Sequence, residues 1–314
     1  MNKDLSDNAR AFALELLDQY GDHISAVSLL GQVAPSRFIE GIDTSPLFSP
    51  LHYTSFFGLV ELVTVLINSE GCKVDQQDCT GSTPLAWGAR NGHEGVVKVL
   101  LEWENVDPNR PDMDGRTPLM SAALNGHEGV VKLLLEREDV DPNFSKDCDI
   151  TPLWYAAMRG HEVVVQLLLE REDVDLNRTH QNGVTPLARA AMEGHEGVIK
   201  ALLGREQIDP NFSDNCDLTP LGYAAMWGHE AVVKLLLERE TVDPNHRDYD
   251  GLTPLGRAAI GGHEGVVKLL LKREDVDPNC LDKFDQTPLG CAAITGHQGV
   301  VKLLLERDDV DLDQ

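Results

Sequence analysis

The sequence predicts an all-α solenoid of about eight 34-residue helix-turn-helix units joined by tight turns, and three observations carry that prediction. Thr-Pro-Leu recurs at Thr83, Thr117, Thr151, Thr185, Thr219, Thr253 and Thr287, always 34 residues apart, and a fixed period of this length marks a repeat architecture. Behind each Thr-Pro-Leu lie two short apolar segments parted by Gly-His. Two residues before each Thr-Pro stands Gly81, Gly115, Asp149, Gly183, Asp217, Gly251 or Asp285, residue types that tolerate the positive φ of a tight turn.

Each unit opens on a cap. The Thr117 hydroxyl is placed to accept from an orphan first-turn amide, and Pro118 suits the first helical position, where no donor is needed. Ala122 and Ala123 are small enough to let a neighbouring helix approach, and Gly126 ends the helix after about two turns. The second helix (Glu128, Val130, Val131, Leu133, Leu134, Leu135) is apolar around so much of its circumference that adjacent units must cover it on more than one side. Glu128/Lys132 is repeated as Glu94/Lys98, Glu196/Lys200, Glu230/Lys234 and Glu264/Lys268, an i,i+4 pattern that marks a solvated stripe. Val140-Asp141-Pro142-Asn143 then breaks the helix.

Ser49-Pro50-Leu51-His52 continues the series one period upstream, so the array is expected over 45–314. The segment 1–44 carries two helical stripes, Ala9, Phe12, Ala13, Leu16, Leu17, Tyr20 and then Ile24, Val27, Leu30. They read as a degenerate capping repeat, because the end units of a solenoid need a different outer surface. At the other end, the eighth repeat keeps the apolar Val300, Val301, Leu303, Leu304 and Leu305 with no polar unit after it, which predicts self-association there.

The pattern D-G-x-T-P-L-x-x-A-A-x-x-G-H-E-x-V-V-K-L-L-L resembles the ankyrin repeat from about Ser45 onward. The resemblance implies paired helices in a curved stack, with finger turns beside a concave, partner-binding face and no catalytic role. The family's T-P-L-H histidine survives only as His52, its place being taken by Ala86, Met120, Trp154, Ala188, Gly222, Gly256 and Gly290, so hydrogen bonding there must differ. Runs such as Glu136-Arg137-Glu138-Asp139 replace the usual glycine after the second helix and read as acidic, extended back loops. The spelling G-H-E-G-V-V-K-L-L-L-E-R-E-D-V-D-P-N is also similar to the ankyrin arrays of filamentous fungi, many of which are sensor tails of NACHT-type signalling ATPases. A regulatory fragment of such an ATPase is therefore the alternative to a free-standing scaffold.

Charge narrows the partner. With 52 acidic against 27 basic residues the net charge is −25, which repels nucleic acid and anionic membrane and favours a basic or amphipathic protein. No apolar run reads as a signal or membrane span, and the six cysteines include no C-x-x-C pair, so a cytoplasmic or nuclear location is expected. The seven in-phase histidines (His93, His127, His161, His195, His229, His263, His297) stand about 8–10 Å apart if helices stack, too far to share an ion. They read as hydrogen bonds between repeats. Phosphate-loop, dinucleotide, nucleophile-elbow and H-E-x-x-H motifs are absent, so neither enzyme activity, nor a metal, nor a cofactor is expected.

Stacking needs the same residue in each copy, whereas recognition needs different ones. Four after each Thr the sequence runs Trp87, Ser121, Tyr155, Arg189, Tyr223, Arg257, Cys291; eight after, Asn91, Asn125, Arg159, Glu193, Trp227, Gly261, Thr295. Trp, Tyr and Arg dominate interface energetics. The expected partner-binding residues are Trp87, Arg116, Tyr155, Arg159, Arg189, Glu193, Tyr223, Trp227, Tyr249 and Arg257. The uniformly apolar row Leu124, Met158, Met192, Met226, Ile260, Ile294 reads as core.

Overall fold

The computed structural model describes residues 49–146 and 149–311; the expected helices of 1–44 and Cys148 lie outside them. The chain divides between Asp147 and Cys148 into two compact units. The first holds α1 (Pro50–Phe57), α2 (Val60–Ile67), α3 (Pro84–Arg90), α4 (Glu94–Leu101), α5 (Pro118–Asn125) and α6 (Glu128–Leu135). The second holds α7 (Pro152–Arg159), α8 (Glu162–Leu169), α9 (Pro186–Glu193), α10 (Glu196–Leu203), α11 (Pro220–Trp227), α12 (Glu230–Leu237), α13 (Pro254–Gly261), α14 (Glu264–Leu270), α15 (Pro288–Thr295) and α16 (Gln298–Leu305). The described residues are thus helix-turn-helix pairs without strands, at the expected period.

The caps form as the sequence requires. Thr117 Oγ1 accepts from Met120 N at 3.2 Å and Thr219 Oγ1 from Gly222 N at 3.1 Å, a device that contributes about 1 kcal/mol per helix. The first helices that end on Gly126, Gly160, Gly194 and Gly228 close there in the left-handed region. The finger tips do the same, including Asp149, Asp217 and Asp285 at φ 54°, 57° and 57°.

Within each unit, an imidazole joins each repeat to the one before. His93 Nε2 lies 2.8 Å from Phe56 O, His127 Nε2 3.0 Å from Arg90 O, and His195, His229, His263 and His297 repeat the contact to Met158, Met192, Met226 and Ile260 at 2.9–3.1 Å. The other side of each ring lies flat over a glycine of the earlier repeat. A Cβ at Gly58, Gly92 or Gly194 would stand 2.6 Å from an imidazole nitrogen, so these glycines serve the stack as well as the turn. The methionine and isoleucine row that supplies most of these carbonyls is half-buried through Ile260 rather than fully in the core.

Two further ladders tie the back loops. Asn109 donates to Asp139 O at 2.6 Å and accepts from Asp141 N at 2.8 Å, and Asn211, Asn245 and Asn279 make the same pair of bonds one repeat onward. Arg137 forks onto Asp139 and reaches back to Leu101 O at 2.6 Å; Arg307 does so to Asp309 and Leu271 O at 3.1 Å. The back loops expected to be extended acidic runs are therefore stapled turns, with a guanidinium at the carbonyl end of the preceding second helix, where the helix dipole favours a cation. The Glu/Lys stripe is exposed as expected, yet Lys200–Glu196, at 2.5 Å, is an ion pair while Glu94 and Glu230 lay their carboxylates against Gly129 and Gly265 of the next repeat. After Glu196 the equivalent residue is Ala231, whose methyl occupies that space and leaves Glu196 to its lysine.

In the last repeat Ile294 is 72% and Leu305 51% exposed, whereas the interior Leu169 is 7%. Amides of Leu303–Leu305 should exchange faster than those of Leu167–Leu169 in hydrogen exchange; equal protection would contradict this. Asp217→Gly and Asp285→Gly relieve a left-handed backbone at positions whose side chains cap nothing, and should each raise stability by about 1 kcal/mol in thermal melts. Burial lowers the pKa of both His52 and His93, outweighing the backbone acceptors around them. The unfolded chain then binds more protons, so the stability these rings contribute is complete above about pH 6.5 and falls as pH drops toward their folded pKa values. A His52→Gln variant should flatten that acid limb.

Candidate partner-binding surface

The surface is set by what the repeats leave over once their own contacts are made. His52, fully buried, accepts from Ser49 N at 3.0 Å through Nδ1, while its Nε2 faces Gln76 O at 3.0 Å and Ser82 O at 3.2 Å. That fixes the tautomer with hydrogen on Nε2. Where the histidine is missing the bonding changes as expected: Trp154 Nε1 donates to Val184 O at 3.2 Å, the same offset of thirty residues into the next finger. At Gly222 and Gly256 there is no side chain, and Leu218 and Leu252 fill the space, since an added Cβ would stand 3.1 and 2.9 Å from their methyls.

The varying row four residues after the threonine is drawn largely into the fold. Each finger that carries an aspartate nine residues before this row uses one carboxylate oxygen to hold its own backbone. Asp78 Oδ1 accepts from Thr80 N and Ser82 N, Asp214 Oδ1 from Cys216 N and Leu218 N, and Asp248 Oδ1 from Asp250 N and Leu252 N. In the fingers of Asp78, Asp214 and Asp248, though not in that of Asp112, a hydrogen bond from the helix to the second oxygen is seen: from Trp87 Nε1 at 2.7 Å, Tyr223 Oη at 2.5 Å and Arg257 Nε at 2.6 Å. Cys291 Sγ lies 3.9 Å from Asp282 in the same relation. Indole, phenol, guanidinium and thiol differ in shape but share a donor, and a buried carboxylate needs one. Burial and the Asp214 bond push the Tyr223 phenol up, and burial with Asp282 holds the Cys291 thiol at about 11.

Among the residues singled out in the sequence, Trp87 and Tyr223 are consequently 5% and 7% exposed, and Arg257 is held by Asp248 and Asp250. The first unit also carries Arg116, half-buried and 3.5 Å from Asp114. In the second unit Tyr155 is half-buried, edge-on to Trp154, and Arg189 lies over the Trp154 ring with its Nη2 2.6 Å from Glu193. Arg159 and Glu193 are exposed, as are Trp227 at 56% and Tyr249 at 65%. Lys283 Nζ caps the Tyr249 ring at 3.3 Å, and the fingers add Phe212 and Phe284. Adjacent fingers are pinned by backbone bonds, Tyr249 N to Cys216 O and Lys283 N to Asp250 O at 2.9 Å, so these aromatics stand on a fixed base.

The asparagine and arginine ladders were missed by the sequence reading, although the 34-residue recurrence of Asn109, Asn143, Asn177, Asn211, Asn245 and Asn279 was a signal for the first. No helix among the described residues is long and apolar enough to cross a membrane.

A family model described as ankyrin repeats, in three copies, matches the chain over residues 51–145, 138–214, 198–282 and 263–314. Proteins built from such repeats act generically as protein–protein interaction modules. No curated protein matches the sequence.

Tyr223→Phe removes only the hydroxyl and strands the buried Asp214 oxygen, so it should cost about 1–3 kcal/mol in urea unfolding, whereas Tyr249→Phe should stay within about 0.5 kcal/mol. Equal effects would mean that the finger aspartate does not depend on its helix donor.

Proposed function

The chain belongs to the ankyrin-repeat family, and from that membership we infer that it is a non-catalytic scaffold that binds a partner protein through its first helices and fingers. The observation that carries this reading is the exposure of Trp227 and Tyr249 on elements whose own packing is already complete. At the Trp227 position other repeats manage with Gly261 or Thr295, so the indole is not a requirement of the repeat. A large aromatic held rigidly in water exposes apolar surface for no gain in folding, and is the kind of residue on which binding energy concentrates. Arg159 and Glu193 stand on the same row and supply polar contacts around it.

The partner this surface suits is a basic or amphipathic protein segment, because a net charge of −25 attracts cations over distances of about 8–10 Å at physiological salt. A cytoplasmic or nuclear compartment fits such a role. The likeness to arrays attached to NACHT-type ATPases rests on the spelling of the repeats alone.

Affinity capture with mass spectrometry, comparing the protein with its Trp227→Ala/Tyr249→Ala version, tests the proposal. The variant should lose the partner, each truncation costing about 2 kcal/mol of binding or roughly thirtyfold, while its melting temperature stays near that of the parent. Loss of the partner on reversing Lys234 and Lys268 of the outer stripe, with the aromatic variant unaffected, would move the site to the second helices.

A further inference from the structure

We propose that Asp75 is a proton-operated clasp, closed onto Asn105 O when its carboxyl is protonated and open when it is ionised, so that acid tightens the back loops of the first two described repeats.

The clasp is defined by the asparagines that stand at the same position of later repeats. Asn109, Asn177, Asn211, Asn245 and Asn279 each donate through Nδ2 to a carbonyl thirty residues on, at 2.6–2.8 Å. Asn109, Asn211, Asn245 and Asn279 also accept through Oδ1 from the amide thirty-two residues on. One period before Asn109 the chain has Asp75, for which the same register gives Asn105 O as the carbonyl and Asp107 N as the amide. The loop that presents Asn105 is built like its successor. Trp103 N donates to Leu100 O at 3.1 Å and Val106 N to Trp103 O at 3.2 Å, as Arg137 N does to Leu134 O at 3.1 Å and Val140 N to Arg137 O at 3.5 Å. The acceptor is therefore in place and the donor is missing.

The carboxylate itself is half used. Its Oδ2 accepts from Arg110 Nη1 at 2.7 Å, and the Asp107 amide stands beside it. Oδ1 is shielded from water and has no hydrogen-bond partner. An ionised carboxylate can only accept, so at the place of the asparagine amide it would set one acceptor against another; the protonated group carries an O–H and can make the bond. The charged groups that face it are Arg110 and Asp107, both on the next back loop. Burial pushes the Asp75 carboxyl above its ordinary value, opposed by Arg110 and assisted by Asp107. Arg110 is exposed along its side chain, where solvent weakens its hold. The folded chain thus keeps a proton that the unfolded chain has released. Between the ordinary aspartate value of about 3.9 and the raised folded one, the stability that Asp75 contributes falls as pH rises, opposite in sign to His52 and His93.

Two measurements on the full chain test this: the carbon-13 titration of the Asp75 carboxyl, and the hydrogen-exchange protection of the Val106 and Asp107 amides, corrected for intrinsic exchange, between pH 7.5 and pH 4. The carboxyl should titrate above the ordinary aspartate value, and protection should rise as it does. Asp75→Asn supplies the donor at every pH, so its protection at pH 7.5 should exceed that of the parent by about fivefold, the worth of one hydrogen bond, and the gap should close toward pH 4. Asp75→Ala removes the charge without supplying a donor and should not reproduce that gain. Asn109→Asp should carry the same pH dependence one repeat onward, to Val140 and Asp141. An Asp75 carboxyl that titrates at or below the ordinary value, a gap between Asp75→Asn and the parent that does not change with pH, or equal protection in Asp75→Ala and Asp75→Asn overturns the proposal.

Discussion

Within both units, stacking depends on an imidazole that has to fit over a glycine. The glycine ends the first helix with a positive φ, and its missing side chain lets the next repeat's histidine lie flat against it and reach a carbonyl of that helix's last turn. One residue type thus satisfies a helix end that would otherwise leave acceptors unpaired and sets the spacing between repeats. Because the bond runs only between neighbours, each unit is a series of equivalent interfaces. The Thr-Pro cap, the paired alanines and the fully buried Val130, Val131 and Leu134 all presuppose the distance that ring sets.

Polar ladders do in the loops what the imidazole does between the helices. The asparagine clasp and the arginine staple each reach into an adjacent repeat with neutral or charge-assisted bonds to main-chain carbonyls, at 2.6 Å in Asn211 and 2.5 Å in Arg205. They also explain how a chain this acidic keeps its back loops compact. Asp139, Asp173, Asp275 and Asp309 each fold onto the arginine two residues before, whose hydrogen bond holds their carboxyls below the usual range. Exposed pairs of this kind contribute little energy individually; their effect is to orient a guanidinium toward the helix end behind it.

Caps, turn tips and the histidine ladder were legible in the sequence because each rests on a local rule: a hydroxyl before a proline, a residue that tolerates positive φ, a ring too far from its copies to share an ion. The row containing Trp87, Tyr223 and Arg257 was harder, since variation there reads as recognition. Its logic is non-local by nine residues. Asp78, Asp214, Asp248 and Asp282 precede a Trp, Tyr, Arg or Cys that can donate, Asp112 precedes Ser121, and Lys146 and His180 stand where the aspartate is missing. Chemical equivalence hidden under different side-chain shapes does not show in a column read by residue identity.

That distinction bears on how such an array acquires specificity. A repeat can vary freely only where neither the cap, the imidazole, the clasps nor the finger carboxylate makes a demand, and these leave chiefly the exposed end of the first helix and the finger tips. Trp227, Arg159 and Glu193 lie in the first of these zones, Tyr249 and Phe284 in the second. Arg189 is a different case, because it sits at a position the fold normally claims and its finger has given up the matching acid. Losing an internal partner leaves a buried donor unpaired, which is unfavourable in the free protein.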